Sequence, residues 1–185
     1  MSNDQSINTH DRNTELIDKI KRIVSWLYVQ IELSQAYYQL NSEKHGLPQV
    51  RMGDIYHARL GTNIGSEIDK NRPVMIFQGC DPYIDESNMV TLIPISSNLK
   101  ERPYRISFSE NDIIDNKGIS GGSIVIQQIR SVSKIRLTEY NGRLSDQKIR
   151  DVITQVNSLL YKALPPALRQ GGHATNVGRE MHCVQ

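Results

Sequence analysis

The chain reads as an α+β protein, a small, strongly bent antiparallel β-barrel with a C-terminal helix and an added long N-terminal helix. Three observations carry that reading. Between Thr14 and Glu43 there is neither proline nor glycine, and Leu16, Ile20, Ile23, Leu27, Ile31 and Tyr38 recur mostly three or four apart, as one face of a helix demands. From Val50 onward the pattern changes to short apolar or alternating runs separated by turn residues. From Leu144 to Leu164 helical spacing returns through Ile149, Val152, Ile153, Val156, Leu159 and Leu160.

The first helix is ended by Gly46, Leu47 and Pro48. Val24, Tyr28 and Leu33 widen its apolar face, so it needs a partner surface, either the rest of its own chain or the same helix in a second subunit. A membrane-surface or RNA-binding helix is disfavoured, because Lys19, Lys21 and Arg22 are its only concentrated positive charges. The strand region opens with Ile55, His57 and Arg59 alternating with Tyr56, Ala58 and Leu60, and continues with the apolar run Val74 to Phe77. Met89 to Ile95, Tyr104 to Phe108 and Ser123 to Val132 are the further predicted strands, with turns at Asn116-Lys117-Gly118 and Gly121-Gly122. Strands at this spacing suit a barrel. Ser145 is placed to cap the last helix and Pro165-Pro166 to stop it. The organisation expected is a helical extension over 1–49, a barrel domain over 50–164 and a flexible polar tail over 165–185.

Composition bounds the function. With 185 residues, 38% of them hydrophobic and 23% charged, the chain can bury one good core and is not generally disordered. A net charge of +2 permits a nucleic-acid partner without arguing for one. Cys80 and Cys183 stand far apart, which offers no disulfide framework or cysteine-rich zinc site and favours a reduced, cytoplasmic setting. No apolar run has the length of a membrane span, and the polar start has nothing like a signal-peptide core. His173, His182 and Cys183 have a spacing without ligand geometry, so neither a metal nor a cofactor is expected.

The stretch Gly53 to Gln78 is the most specific part of the sequence. Gly53-Asp54-Ile55, Gly65-Ser66-Glu67 and Arg72-Pro73-Val74 stand in an order that resembles the opening of the MazF/PemK family, small ribonucleases of bacterial type II toxin-antitoxin systems. Pro94-Ile95-Ser96-Ser97, followed by Lys100 to Tyr104, is similar to that family's third strand and its basic connection. Gln127-Gln128-Ile129-Arg130 and the segment Lys134 to Leu137 resemble two later elements, so the likeness spans about Arg51 to Leu164. No single element is specific; their order is.

The resemblance implies a PemK/MazF/CcdB-type SH3-like barrel and a metal-independent, sequence-specific endoribonuclease. Its products would be a 2′,3′-cyclic phosphate and a 5′-hydroxyl. Arg72 and Ser96 stand at the family's catalytic arginine and threonine, the serine keeping the hydroxyl but losing the methyl. These residue types suit the chemistry: a guanidinium donates two hydrogen bonds to a phosphate and stays charged, and a small hydroxyl orients a non-bridging oxygen. Ser97 is the alternative if the register is off by one, since neighbouring strand residues face opposite ways. Gly65, Ser66, Glu67, Gln128 and Arg130 are the candidate substrate-binding residues, with Lys134 a further candidate phosphate contact.

The resemblance further implies a cytoplasmic homodimer whose partners are single-stranded RNA and a cognate antitoxin. His57 has a suitable pKa for acid-base work, but packing is the better reading because the family uses no histidine there. The N-terminal extension departs from the compact family form and is expected to stabilise the dimer or restrain the groove. Two other classes stay open, a catalytically weak or inactive binding protein and a CcdB-like gyrase-binding toxin.

Overall fold

The computed structural model describes residues 4–43, 46–78, 87–100 and 102–163. Helix α1 (Asp4–Glu43) is 40 residues long, which at 1.5 Å per residue is about 60 Å. It begins ten residues before the expected Thr14, because residues 4–13 are helix-compatible but polar, and apolar periodicity cannot mark them. Eight strands follow, β1 (Asp54–Arg59), β2 (Asn71–Ile76), β3 (Met89–Ser96), β4 (Arg105–Ser109), β5 (Ile113–Ile114), β6 (Gly121–Val125), β7 (Arg130–Ser133) and β8 (Leu137–Leu144). Helix α2 (Asp146–Ala163) closes the described chain. Among the described residues no helix is long and apolar enough to cross a membrane.

The strands pair antiparallel in the order β4-β6-β3-β2-β1-β8-β5, with β7 also on β3, which gives a nearly closed barrel. Strand β3 is the hinge of the arrangement. Its first half pairs with β7 and its last two residues with β6, so one eight-residue strand spans both halves of the barrel.

Side-chain alternation divides the core in two. Ile55, Met75, Ile93 and Ile95 enter one cluster, while Ala58, Val74, Ile76, Val90 and Leu92 enter the other. Because both faces are covered, Val74 to Ile76 can be apolar at every position, as the sequence shows. Helix α2 supplies Ile149, Val152 and Val156 to the first cluster, each burial stabilising by roughly 2 kcal/mol. Ser145 caps α2 as expected, its Oγ accepting from Lys148 N at 3.4 Å.

The Gly53-Asp54 pair turns out to be a corner of this core. Gly53 has φ +91°, and a Cβ there would overlap Ile149 Cδ1 of α2. Its amide donates to Ile76 O and its carbonyl accepts from Leu144 N, tying β2 to β8. Asp54 is buried and accepts from Arg51 N at 2.8 Å. Desolvation raises its pKa above the ordinary carboxylate value, against the lowering effects of that hydrogen bond and of Arg143 and Arg51.

Three expectations need correcting. The run Ser123 to Val132 is two strands rather than one, because a 3-10 turn at Ile126–Gln128 redirects the chain from pairing with β4 and the end of β3 to pairing with β3's first half. Gly121-Gly122 is not a turn but the start of β6, where Gly122 lets β3 approach: a Cβ there would lie 2.8 Å from Ile95 Cγ2. Strand β8, with its bulged pairing to β1, has no clean alternation and was not among the expected strands. Pro165, Pro166, the polar tail and both cysteines lie outside the described residues.

Helix α1 lies on the barrel by one stripe. Trp26 touches Gly61, and the Arg136 guanidinium sits 5.4 Å from the Trp26 ring centre. Thr62 Oγ1 donates to Arg22 O at 3.3 Å, and Asn88 Nδ2 to Tyr37 OH at 3.1 Å. Packing on its own chain therefore accounts for Lys19, Trp26, Val29, Leu33, Ala36, Tyr37 and Leu40, the positions with reduced exposure.

Candidate functional site

The segment joining β1 to β2 and the segment joining β6 to β7 meet at one place. Gly65, with φ +61° and open space around it, turns the first of these outward and exposes Ser66 and Glu67. The turn is closed locally by Glu67, whose amide donates to Ile64 O at 3.3 Å and whose carboxylate accepts from Ile64 N at 3.4 Å. Gln128, presented by the 3-10 turn that broke the long strand, reaches across and clasps this loop. Its Oε1 accepts from Ile68 N at 2.7 Å and its Nε2 donates to Ser66 O at 2.9 Å.

Two guanidiniums hang from consecutive carbonyls of the same loop. Arg130 Nη2 donates to Ile68 O at 2.7 Å, and Arg72 Nε donates to Asp69 O at 3.3 Å. Asn63 Nδ2 also donates to Ile68 O, at 2.8 Å. Burial pushes the Arg130 guanidinium below its ordinary value, the nearby Glu67 carboxylate opposes that, and Arg136 adds to it. An arginine so placed still keeps its charge at neutral pH. Ser66, Glu67, Gln127, Gln128, Ile129 and Arg130 line an open groove of about 480 Å³.

Ser96 stands at the end of β3, paired in register with Ser123 of β6. The β2–β3 pairing runs Ile76↔Leu92, Met75↔Ile93 and Val74↔Pro94. The pairing ends at Val74↔Pro94; by strand alternation Arg72 and Ser96, each two residues beyond it, share the sheet face of the second cluster, while Ser97 belongs to the other face. Ser96 Oγ accepts from Asn98 N at 3.1 Å, and Arg105 Nη1 donates to Asn98 O at 2.9 Å. The turn after β3 is thus braced from β4.

Among the sequence candidates, the structure brings Ser66, Glu67, Gln128 and Arg130 together and links Arg72 to them through Asp69. Gly65 serves as the turn, and Ser96 sits at the end of β3, paired with Ser123 and bonded to Asn98 rather than to this group. Lys134 is corrected: its side chain is almost wholly inside the protein, so it presents no cation to a phosphate. His57 is half-buried with Nδ1 2.6 Å from Asn141 Oδ1, as the packing reading expected. Sequence reasoning missed Lys19, whose Nζ donates to Asn63 O and lies 3.7 Å from Asp69, fastening α1 to the loop that holds Arg72. It also missed Arg105; neither residue carries a motif, Lys19 acting on chain 44 residues away and Arg105 bridging back seven residues across the turn to Asn98.

The family described as PemK-like, MazF-like toxin of type II toxin-antitoxin system matches residues 51–160, more than half of the chain. Comparison with curated proteins gives no match. Among solved structures, MazF from Deinococcus radiodurans is similar with a TM-score of 0.52 at 19% identity, covering 63% of this chain and 98% of its own. An endoribonuclease from mycobacterial species has a TM-score of 0.50 at 14% identity, covering 65% of this chain and all of its own. A mycobacterial endoribonuclease in complex with its cognate antitoxin gives 0.50 at 15% identity, covering 63% of this chain and all of its own. At these identities the structures establish the barrel fold, and α1 lies before the part matched by the family. On the family match, the chain belongs to the PemK-like, MazF-like toxins of type II toxin-antitoxin systems.

Proposed function

We propose that this protein is the toxin of a type II toxin-antitoxin pair and cuts single-stranded RNA, mRNA included, at short sequence motifs. The observation that supports the proposal is the β2–β3 pairing, which ends at Val74↔Pro94, two residues short of Arg72 and Ser96, so that strand alternation puts both on one sheet face, with Arg72 beside the loop clasped by Gln128 and Arg130. In this reading the 2′-hydroxyl next to the scissile phosphate attacks phosphorus and the 5′-oxygen leaves with a proton. The products are a 2′,3′-cyclic phosphate and a 5′-hydroxyl, and the attack itself calls for no metal. Arg72 donates to the phosphorane oxygens as charge builds there, and the Ser96 hydroxyl orients a non-bridging oxygen. Ser66, Glu67, Gln128 and Arg130 form the adjoining substrate surface, with Gly65 shaping its loop.

The domain that does this runs from 50 to 164, and it acts as a cytoplasmic homodimer held in check by a cognate antitoxin. Support for the antitoxin comes from the family and from a mycobacterial relative of the same fold described in complex with its own. A gyrase-binding toxin of the same barrel class has no use for the Arg72–Ser96 pair, and an inactive binding module would carry it without consequence.

The deciding experiment incubates the full-length protein with a long single-stranded RNA in EDTA, beside Arg72→Ala and Ser96→Ala, and maps the ends by primer extension. Discrete cuts by the unaltered protein, reduced roughly 10²- to 10³-fold by Arg72→Ala, are the expected result. Equal cutting by all three proteins would remove both residues from the chemistry. No cutting by any, with a chain beginning at Val50 equally silent, would favour the binding module.

A further inference from the structure

Helix α1 carries a second apolar stripe that the barrel does not cover. Ile17, Val24, Ile31 and Tyr38 fall seven residues apart, and Ile20, Leu27 and Ser34 interleave three residues after the first three of them. That is the 3.5-residue repeat of a coiled-coil seam, and at its centre β-branched Val24 and Ile31 alternate with Leu27, the combination that favours two strands. The barrel-facing stripe of Lys19, Trp26, Val29 and Leu33 lies on the other side of the helix, roughly 145° around at 100° per residue. The apolar seam residues and their neighbours Leu16, Ile23 and Tyr28 are between 48% and 75% exposed.

We propose that this seam is a dimerisation surface, whose occupant is the same stripe of a second copy of the chain. Nine large apolar side chains, each about half exposed, offer roughly 700 Å² per copy, close to the area a stable pairing buries on each partner. The stripe is self-complementary in charge: Leu16, Ile23, Tyr28, Gln30 and Gln35 flank it, and Lys21 is the one charge among residues bordering it between 16 and 35. RNA or an acidic peptide would call for a cationic rim, which it lacks. A membrane-surface helix would need a free cationic face opposite, and here that face is occupied by the barrel. Because the two stripes point apart, two barrels can sit on the outer sides of an α1 pair without meeting each other. The seam lies outside residues 51–160, so it is independent of the family domain and of whether that domain cuts RNA.

Leu27 is near the middle of the stripe, so it faces its own counterpart if the helices run parallel and lies within about one turn of it if they run antiparallel, where the two sets of seam positions pair with each other. The test is oxidative cross-linking of the full chain bearing Leu27→Cys, with Cys80→Ser and Cys183→Ser, against the same chain bearing Ser25→Cys in place of Leu27→Cys. Ser25 is an exposed position off the seam whose hydroxyl bonds only back to Lys21 O. A covalent dimer should form from Leu27→Cys and not from Ser25→Cys. Sedimentation of Leu27→Lys/Ile31→Lys should show self-association through this surface weakened at least roughly a hundredfold. Thermal melting and helix content of the same samples separate a lost seam from a lost fold. Equal cross-linking by the two cysteine variants overturns the proposal. So does an unchanged mass for the lysine pair with α1 intact, the outcome if copies meet only through their barrels. An α1 face reserved for another protein would leave Leu27→Cys uncross-linked, which also overturns it.

Discussion

Replacing Gln128 with alanine removes both side-chain hydrogen bonds that clasp the loop over residues 66–68. One is the 2.7 Å bond from Ile68 N and the other the 2.9 Å bond to Ser66 O. Both are neutral, the first partly buried and the second exposed, and at about 1 kcal/mol net apiece the clasp contributes up to about 2 kcal/mol to holding the loop closed. That corresponds to a local opening constant raised roughly 30-fold. Were all of it lost from global stability, Tm would fall by about 4–8 °C for a chain of this size. A loop with its own turn at Ile64–Glu67 should open locally instead, leaving Tm within about 2 °C.

The assay is amide hydrogen exchange, because Ile68 N–H loses its acceptor outright. The expected result is roughly 30-fold faster exchange at Ile68 and its loop, with β3 and α2 unchanged and Gln127→Ala, an exposed neighbour, without effect. RNA cleavage, if the proposed activity holds, should fall in step, since Asp69 O in the same loop positions Arg72. Unchanged exchange at Ile68, or equal acceleration through the whole barrel, would refute the idea that Gln128 acts as a local clasp.

Three further outcomes are expected. Gly53→Ala forces a positive φ on a β-carbon and drives it into Ile149, which should cost about 3 kcal/mol and lower Tm by about 6–12 °C; a loss below 1 kcal/mol, read by urea unfolding, would contradict the packing at that corner. Asp54 has its pKa raised by burial, so folding takes up a proton between the ordinary carboxylate range and that raised value, and the unaltered protein should gain stability relative to Asp54→Asn as pH falls through this window. A difference that stays flat with pH, or runs the other way, would show that Asp54 is not desolvated. Trp26→Ala removes the Arg136 contact and the packing on Gly61, so exchange protection along α1 should drop while the barrel melts within a few degrees of its former Tm; joint loss of both would mean that α1 and barrel unfold as one unit.

Much of the site could be read from short segments because its residues sit on locally patterned chain. Gly53-Asp54, Gly65-Ser66-Glu67 and Arg72-Pro73 lie within one hairpin, whose strands are fixed by alternation and whose loop is fixed by a glycine able to take positive φ. The Ser96 strand was legible for the same reason: an apolar run with a proline and two small polar residues at its end. The sequence likewise determined α1 and α2, since helix formation follows from 3.6-residue periodicity and the absence of breakers.

Tertiary structure decided what acts across long separations. Only the fold shows that Gln128 and Arg130 close on a loop some sixty residues earlier, or that Lys19 reaches Asp69. A side chain's partner depends on how strands cross, not on its neighbours in sequence. The fold also buried Lys134, which a local reading took for a surface cation, and broke the run from Ser123 to Val132 at a turn that apolar pattern alone does not encode. Finally, the sequence showed that α1 has a broad apolar face in need of a partner surface, but not which stripe meets the barrel. Trp26 against Gly61 settles that, because the glycine leaves the space for the ring to approach, and it leaves the heptad stripe facing outward.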